Sequence, residues 1–76
     1  MIRVLTKPAC GACTQTKNWL DRNSIAYTET TITPELAEWA RENGHWQAPI
    51  VVFGEESFSG YSPTELEKLK NRITEG

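Results

Sequence analysis

Several residue classes that often decide function are scarce in this chain. Its 76 residues hold two cysteines, one histidine and one methionine. A lone histidine excludes a metal centre built on clustered imidazoles, and two cysteines exclude a multi-bridged disulfide scaffold. No stretch approaches the roughly 20 consecutive apolar residues that a membrane-spanning helix requires. The opening "MIRVLTKPAC" has only a brief apolar run with no small-residue cleavage site behind it, so it does not read as a signal peptide. Positive charge is also limited: 8 Lys and Arg stand against 10 Asp and Glu, a formal net charge of −2. Lys68, Lys70 and Arg72 cluster in the last expected helix, but Glu65, Glu67 and Glu75 are interleaved with them, as on a solvated helix face. Without a basic stripe to neutralise phosphates, nucleic acid is not an expected partner. Repeats, low-complexity runs and linkers are absent, so residues 1–76 are expected to form one small domain in a reducing, cytoplasmic compartment.

What remains is a regular alternation of strand and helix signals. "IRVLT" (Ile2 to Thr6) is a short, mostly aliphatic run that reads as a strand buried on both faces, ended by Pro8. A helical pattern follows from Gly11 to Asn23, with Ala12, Thr16 and Leu20 on one stripe and Trp19 beside it. Ile25 to Ile32 alternates and is rich in Thr, as a second strand would be. "TPELAEWARENG" carries its own boundaries. Thr33 is the expected N-cap, Pro34 takes the first helical position, Gly44 is the stop, and Leu36, Trp39 and Ala40 face inward. Ala48 to Phe53 reads as a third strand, and "SFSG" returns as its antiparallel partner after "GEE". In the last helix Ser62 and Glu65 form a capping box around Pro63, and Leu66, Leu69 and Ile73 make the expected buried stripe.

The order β-α-β-α-β-β-α implies an α/β fold with a four-stranded mixed sheet and helices on both faces. A C-x-x-C at the first strand-to-helix junction is the position expected in a thioredoxin-like fold.

Cys10 and Cys13 are three residues apart, and three chemistries compete for them. A structural staple across so short a loop restrains the unfolded chain little. A structural zinc site needs four ligands, of which C-x-x-C supplies two and His45 at best a third. A dimer holding zinc or an iron–sulfur cluster between two chains meets the ligand count and stays open as a binding-module alternative. A redox couple has a positive physical basis. Residues three apart at a helix start share a face and can close a disulfide with little backbone movement. The helix N-terminus favours a thiolate at Cys10, the nucleophilic form, and Lys7 adds positive charge nearby. Cys13, a turn further in, suits the resolving role. Pro49, ahead of the third strand, is either an ordinary trans loop proline or a cis proline whose loop lies against the cysteines, freeing the Ala48 backbone to pair with a substrate segment.

"TKPACGACTQTKNWLD" followed by "GHWQAPIVVFGEESFSGYSP" resembles the NrdH-redoxins, small glutaredoxin-like electron donors, over nearly the whole chain. That resemblance implies a thiol–disulfide oxidoreductase that needs no bound cofactor or metal. It would act as a monomer, reduced by thioredoxin reductase and passing electrons to class Ib ribonucleotide reductase or another disulfide-containing protein. It also assigns roles: Cys10 attacks, Cys13 resolves, Pro49 is the cis-proline of the substrate loop, and Ser59, Gly60 and Tyr61 form a turn that shapes partner recognition. Phe58, Ser62 and Thr64 depart from the tryptophan, arginine and aspartate common in the family's C-terminal motif, which puts the usual partner contacts there in question. The alternative within the same chemistry is a glutathione-dependent glutaredoxin. Lys7 would grip a glutathione carboxylate and Gln47 to Pro49 would supply backbone contacts. Against it, Tyr61 stands where a second glycine is usual and Thr64 removes an acidic contact.

Overall fold

The computed structural model describes residues 2–75. Its elements are β1 (Ile2–Thr6), α1 (Gly11–Arg22), β2 (Tyr27–Thr31), α2 (Pro34–Glu42), β3 (Ile50–Phe53), β4 (Glu56–Ser59) and α3 (Pro63–Glu75). The four strands form one sheet in the order β2-β1-β3-β4. The β1–β2 pair is parallel, Ile2 opposite Tyr27, and joined by the α1 crossover. Antiparallel pairs β1–β3 and β3–β4 complete a mixed sheet, as the element order implied.

Two apolar clusters sit on opposite faces of the sheet. Val4 and Val51 pack with Trp19 and Leu20 of α1 and with Leu66 and Leu69 of α3. Leu5 and Ile50 pack with Ala40 of α2, flanked by half-buried Leu36, Trp39 and Val52. Leu20 and Leu66 are fully buried, and a side chain of that size contributes roughly 1.5–3 kcal/mol when taken out of water. Lys70 of α3 donates to the Asn23 side chain at the end of α1 (2.9 Å), which ties the two helices of the larger cluster together.

The caps fall where side-chain chemistry places them. Thr33 Oγ1 accepts from Leu36 N–H, and Gly44 at φ +79° follows the Asn43 cap of α2. Ser62 Oγ accepts from Glu65 N–H at 3.3 Å.

Four expectations are corrected. Strand β1 is not buried on both faces throughout, because Arg3 points to solvent. Strand β2 starts at Tyr27 rather than Ile25, since Ile25 N–H is still bonded to Leu20 O at the end of α1 (2.9 Å). Strand β3 starts at Ile50 rather than Ala48, because proline has no N–H to give the ladder. Finally, Ile73 is 40 % exposed: the inward stripe of α3 ends at Leu69.

Candidate active site

Strand β1, a central strand of the sheet, ends at Thr6, and α1 begins at Gly11. Cys10 lies between them as the N-cap of α1, in extended conformation. Its Sγ accepts a hydrogen bond from Cys13 N–H at 3.0 Å, and its carbonyl accepts from Thr14 N–H at 3.2 Å. The sulfur therefore occupies the place where a serine or aspartate oxygen would cap a helix, facing otherwise unpaired amides. Ala9, just before it, holds a left-handed φ of +54°, uncommon for a residue with a side chain.

Cys10 and Cys13 are joined as a disulfide, Cα to Cα 5.2 Å. The two sulfurs are not equivalent. Cys10 is half-buried and reachable, whereas Cys13 is 3 % exposed and lies on the inward face of α1 with Thr16 and Leu20. An incoming thiolate can reach Cys10 and is screened from Cys13.

The 47–49 loop lies against the cysteines. Cys10 Sγ is 3.7 Å from the Ala48 carbonyl oxygen, Ala48 and Pro49 are buried, and the Ala48–Pro49 peptide is cis. Pro49 O accepts from Gly60 N–H at 2.8 Å, joining this loop to the turn after β4. Gly60 holds φ +80°, and the Gln47 side chain rests on it so closely that an added Cβ would meet Gln47 Nε2 at 2.7 Å. Of the residues singled out on the sequence, Cys10, Cys13, Ala48, Pro49, Gln47 and Gly60 thus form one connected constellation. Lys7 is exposed and shares a groove with Gln47 and Ala48. Ser59 ends β4 opposite Ile50, and Tyr61 is half-buried against the larger core cluster. Those two flank Gly60 in the turn after β4.

An ion pair braces the strand leading into the site. Glu29 of β2 accepts from Lys17 Nζ (2.9 Å) and from the buried Thr6 hydroxyl at the end of β1 (3.0 Å). The Lys17 contact, reinforced by Thr6, holds the Glu29 carboxyl below its ordinary range, and the same contact raises Lys17. His45 is half-buried, Nε2 bonded to Ser57 Oγ at 2.7 Å and its ring tilted against Trp39 at 6.2 Å. Among the described residues no group of three or more His, Cys, Asp or Glu side chains is placed to hold a metal ion.

Trp46, for which the sequence leaves contact with a reductase or simple packing open, is 76 % exposed beside the Gln47–Pro49 loop; Arg41, which sequence reasoning overlooked, lines the groove with Lys7.

Comparison with known proteins agrees with this geometry. The glutaredoxin family model matches residues 2–58. The glutaredoxin-like protein NrdH of Lactococcus lactis subsp. cremoris is 38% identical over 71 residues, covering 91% of this chain and 99% of that protein. NrdH of Escherichia coli K12 is 30% identical over 70 residues, 90% of this chain and 86% of its own. The solved structure of Escherichia coli NrdH-redoxin superposes with a TM-score of 0.83 at 30% identity, covering 90% of this chain and 92% of that one. Scaffold, cysteine pair and relatives together define a thiol–disulfide oxidoreductase of thioredoxin-like fold. The chain belongs to the glutaredoxin family, as a member of the NrdH-redoxin type.

Proposed function

We propose that this protein is a cytoplasmic, monomeric electron donor that takes electrons from thioredoxin reductase and passes them to protein disulfides, such as that of a class Ib ribonucleotide reductase. The observation that carries this reading is the asymmetry of the pair: a reachable Cys10 capping a helix and a buried Cys13 behind it. The Cys10 thiolate attacks one sulfur of the substrate disulfide, forming a mixed disulfide and releasing the other sulfur as a thiolate. Cys13, as thiolate, then attacks Cys10 Sγ, closing the internal disulfide and releasing the second substrate thiolate. Two electrons pass to the substrate, whose thiolates take protons from water. An external reductant returns two electrons, and no bound cofactor takes part.

In this reading Ala48 and Pro49 form the shelf on which a substrate segment lies, with Gln47 and Gly60 fixing its far wall and Ser59 and Tyr61 framing the turn. Lys7 adds positive charge at the entrance. Escherichia coli NrdH-redoxin is a glutaredoxin-like protein with a thioredoxin-like activity profile, which favours thioredoxin reductase over glutathione as reductant here. The deciding experiment presents the oxidised protein with NADPH and thioredoxin reductase, or with NADPH, glutathione and glutathione reductase. Faster reduction by the first system is expected; faster reduction by the second would make the protein a glutathione-dependent glutaredoxin. Cys10→Ser is expected to abolish turnover and Cys13→Ser to accumulate the mixed disulfide. Full turnover by the Cys10→Ser protein would overturn the roles.

A further inference from the structure

Helices α1 and α2 end in the same way, bond for bond. Asn23 and Asn43 are their C-caps, and each side-chain Nδ2 donates to the carbonyl of the tryptophan four residues back, Trp19 O or Trp39 O, at 2.8 Å. The next residue holds a left-handed φ in both cases, +55° at Ser24 and +79° at Gly44. Its N–H donates to Asp21 O or Arg41 O at 3.1 Å, and the N–H after that returns to Leu20 O (2.9 Å) or Ala40 O (2.8 Å). The two ends differ in one chemical respect: a serine follows Asn23 and a glycine follows Asn43. A glycine nitrogen reaches the asparagine side-chain carbonyl most freely, because glycine has no Cβ to obstruct the approach. The chain's other asparagines, Asn18 and Asn71, precede the bulky Trp19 and Arg72. Asn43 and Gly44 are both exposed, whereas Asn23 is half-buried and its Oδ1 also accepts from Lys70 at 2.9 Å.

We propose that Asn43–Gly44 is a site of spontaneous deamidation, gated by opening of the last turn of α2, and that its products loosen the loop leading back to the cysteines. The Gly44 nitrogen attacks Asn43 Cγ. The N–Cγ bond forms, Gly44 N loses its proton, and the Cγ–Nδ2 bond breaks to release ammonia. Water then opens the cyclic imide at either carbonyl, leaving aspartate, or isoaspartate with one extra carbon in the backbone. The balance is one water in and one ammonia out, with no oxidant or reductant. In the folded chain both reacting groups are occupied, Gly44 N–H by Arg41 O and Asn43 Nδ2 by Trp39 O, so the turn must open first. Either product deletes the Nδ2 donor and puts a carboxylate at the negative end of the helix dipole. His45 N–H, two residues on, is bonded to Ala40 O, and from there the chain continues to buried Ala48 and Pro49 beside Cys10. This chemistry goes beyond the oxidoreductase reading and does not depend on it.

The test ages the oxidised full chain in warm, mildly alkaline buffer, with and without sub-denaturing urea. Peptide masses follow the change from amide to acid at each asparagine, and isoaspartyl methyltransferase with S-adenosylmethionine reads the isoaspartate. Conversion is expected to be at least about tenfold faster at Asn43 than at Asn23, and to quicken in urea. The Asn43→Asp variant is expected to exchange its His45 amide about fivefold or more faster than the wild type, with the matching Ile25 amide after α1 unchanged. Equal conversion at Asn43 and Asn23, no acceleration in urea, or unaltered His45 exchange in Asn43→Asp would each overturn the proposal.

Discussion

Two residues beside the active site hold left-handed backbone, and only one of them is glycine. Gly60, at φ +80°, carries the N–H that holds Pro49 O and leaves room for Gln47. Gly60→Ala is expected to lower stability by about 1–2 kcal/mol in urea unfolding, mostly from the backbone penalty, because the tip of Gln47 can swing aside. Ala9, at φ +54°, has the opposite sign. Ala9→Gly relieves the same penalty, so unfolding is expected to show no loss, and a gain of up to about 1 kcal/mol. At Cys10, the helix N-terminus and the Cys13 amide both favour negative charge on sulfur. The reduced protein is therefore expected to be alkylated by iodoacetamide with a midpoint below the free thiol value of about 8.5. A rate profile centred on the free value would contradict that reading.

Elements differ in how plainly the sequence announces them. Helix α2 was legible because Thr33, Pro34 and Gly44 each act locally, through a cap, a fixed φ and a left-handed stop. The C-x-x-C was legible for the same reason: its placement depends only on a strand ending and a helix beginning. Strand β2 and the last turn of α3 were less so, because their limits are tertiary. Whether Ile25 joins a strand depends on the Leu20 carbonyl, and whether Ile73 is buried depends on where the sheet beneath it ends. Leu66→Ala is expected to cost about 2–5 kcal/mol, since Leu66 is fully buried between α3 and the sheet. Ile73→Ala, at 40 % exposure, is expected to cost no more than about 1 kcal/mol. Urea midpoints of the two variants compare them directly.

Across the whole molecule, β1, β2 and α1 are drawn together by the Thr6–Glu29–Lys17 contacts. Glu29 titrates below its unfolded value, so its stabilisation is complete above the ordinary carboxylate range and is lost as pH falls through the folded pKa. Lys17 is raised, so its share is complete below the ordinary lysine range and is lost only as pH rises through its folded value. Thermal melts are expected to show a small acid-side loss, weaker in high salt, that Glu29→Gln reduces. This network was not legible, because it pairs residues from three elements through register that no local pattern specifies. The groove beside Trp46 was hidden for the same reason: Lys7, Arg41 and Trp46 are scattered along the chain and meet only when α2 packs on the sheet.

Cys10 Sγ, the attacking atom in the proposed function, is also the atom that caps α1. Every chemical state of that sulfur is consequently a different helix cap. A thiolate accepts a charge-assisted bond from the Cys13 amide, stronger than the one a bridged sulfur accepts. Reduction should thus tighten the first turn of α1 as well as free a nucleophile, and the Cys13 amide becomes a built-in gauge of redox state. Its hydrogen exchange is expected to slow on reduction, relative to amides deeper in the helix, at a pH where Cys10 is ionised.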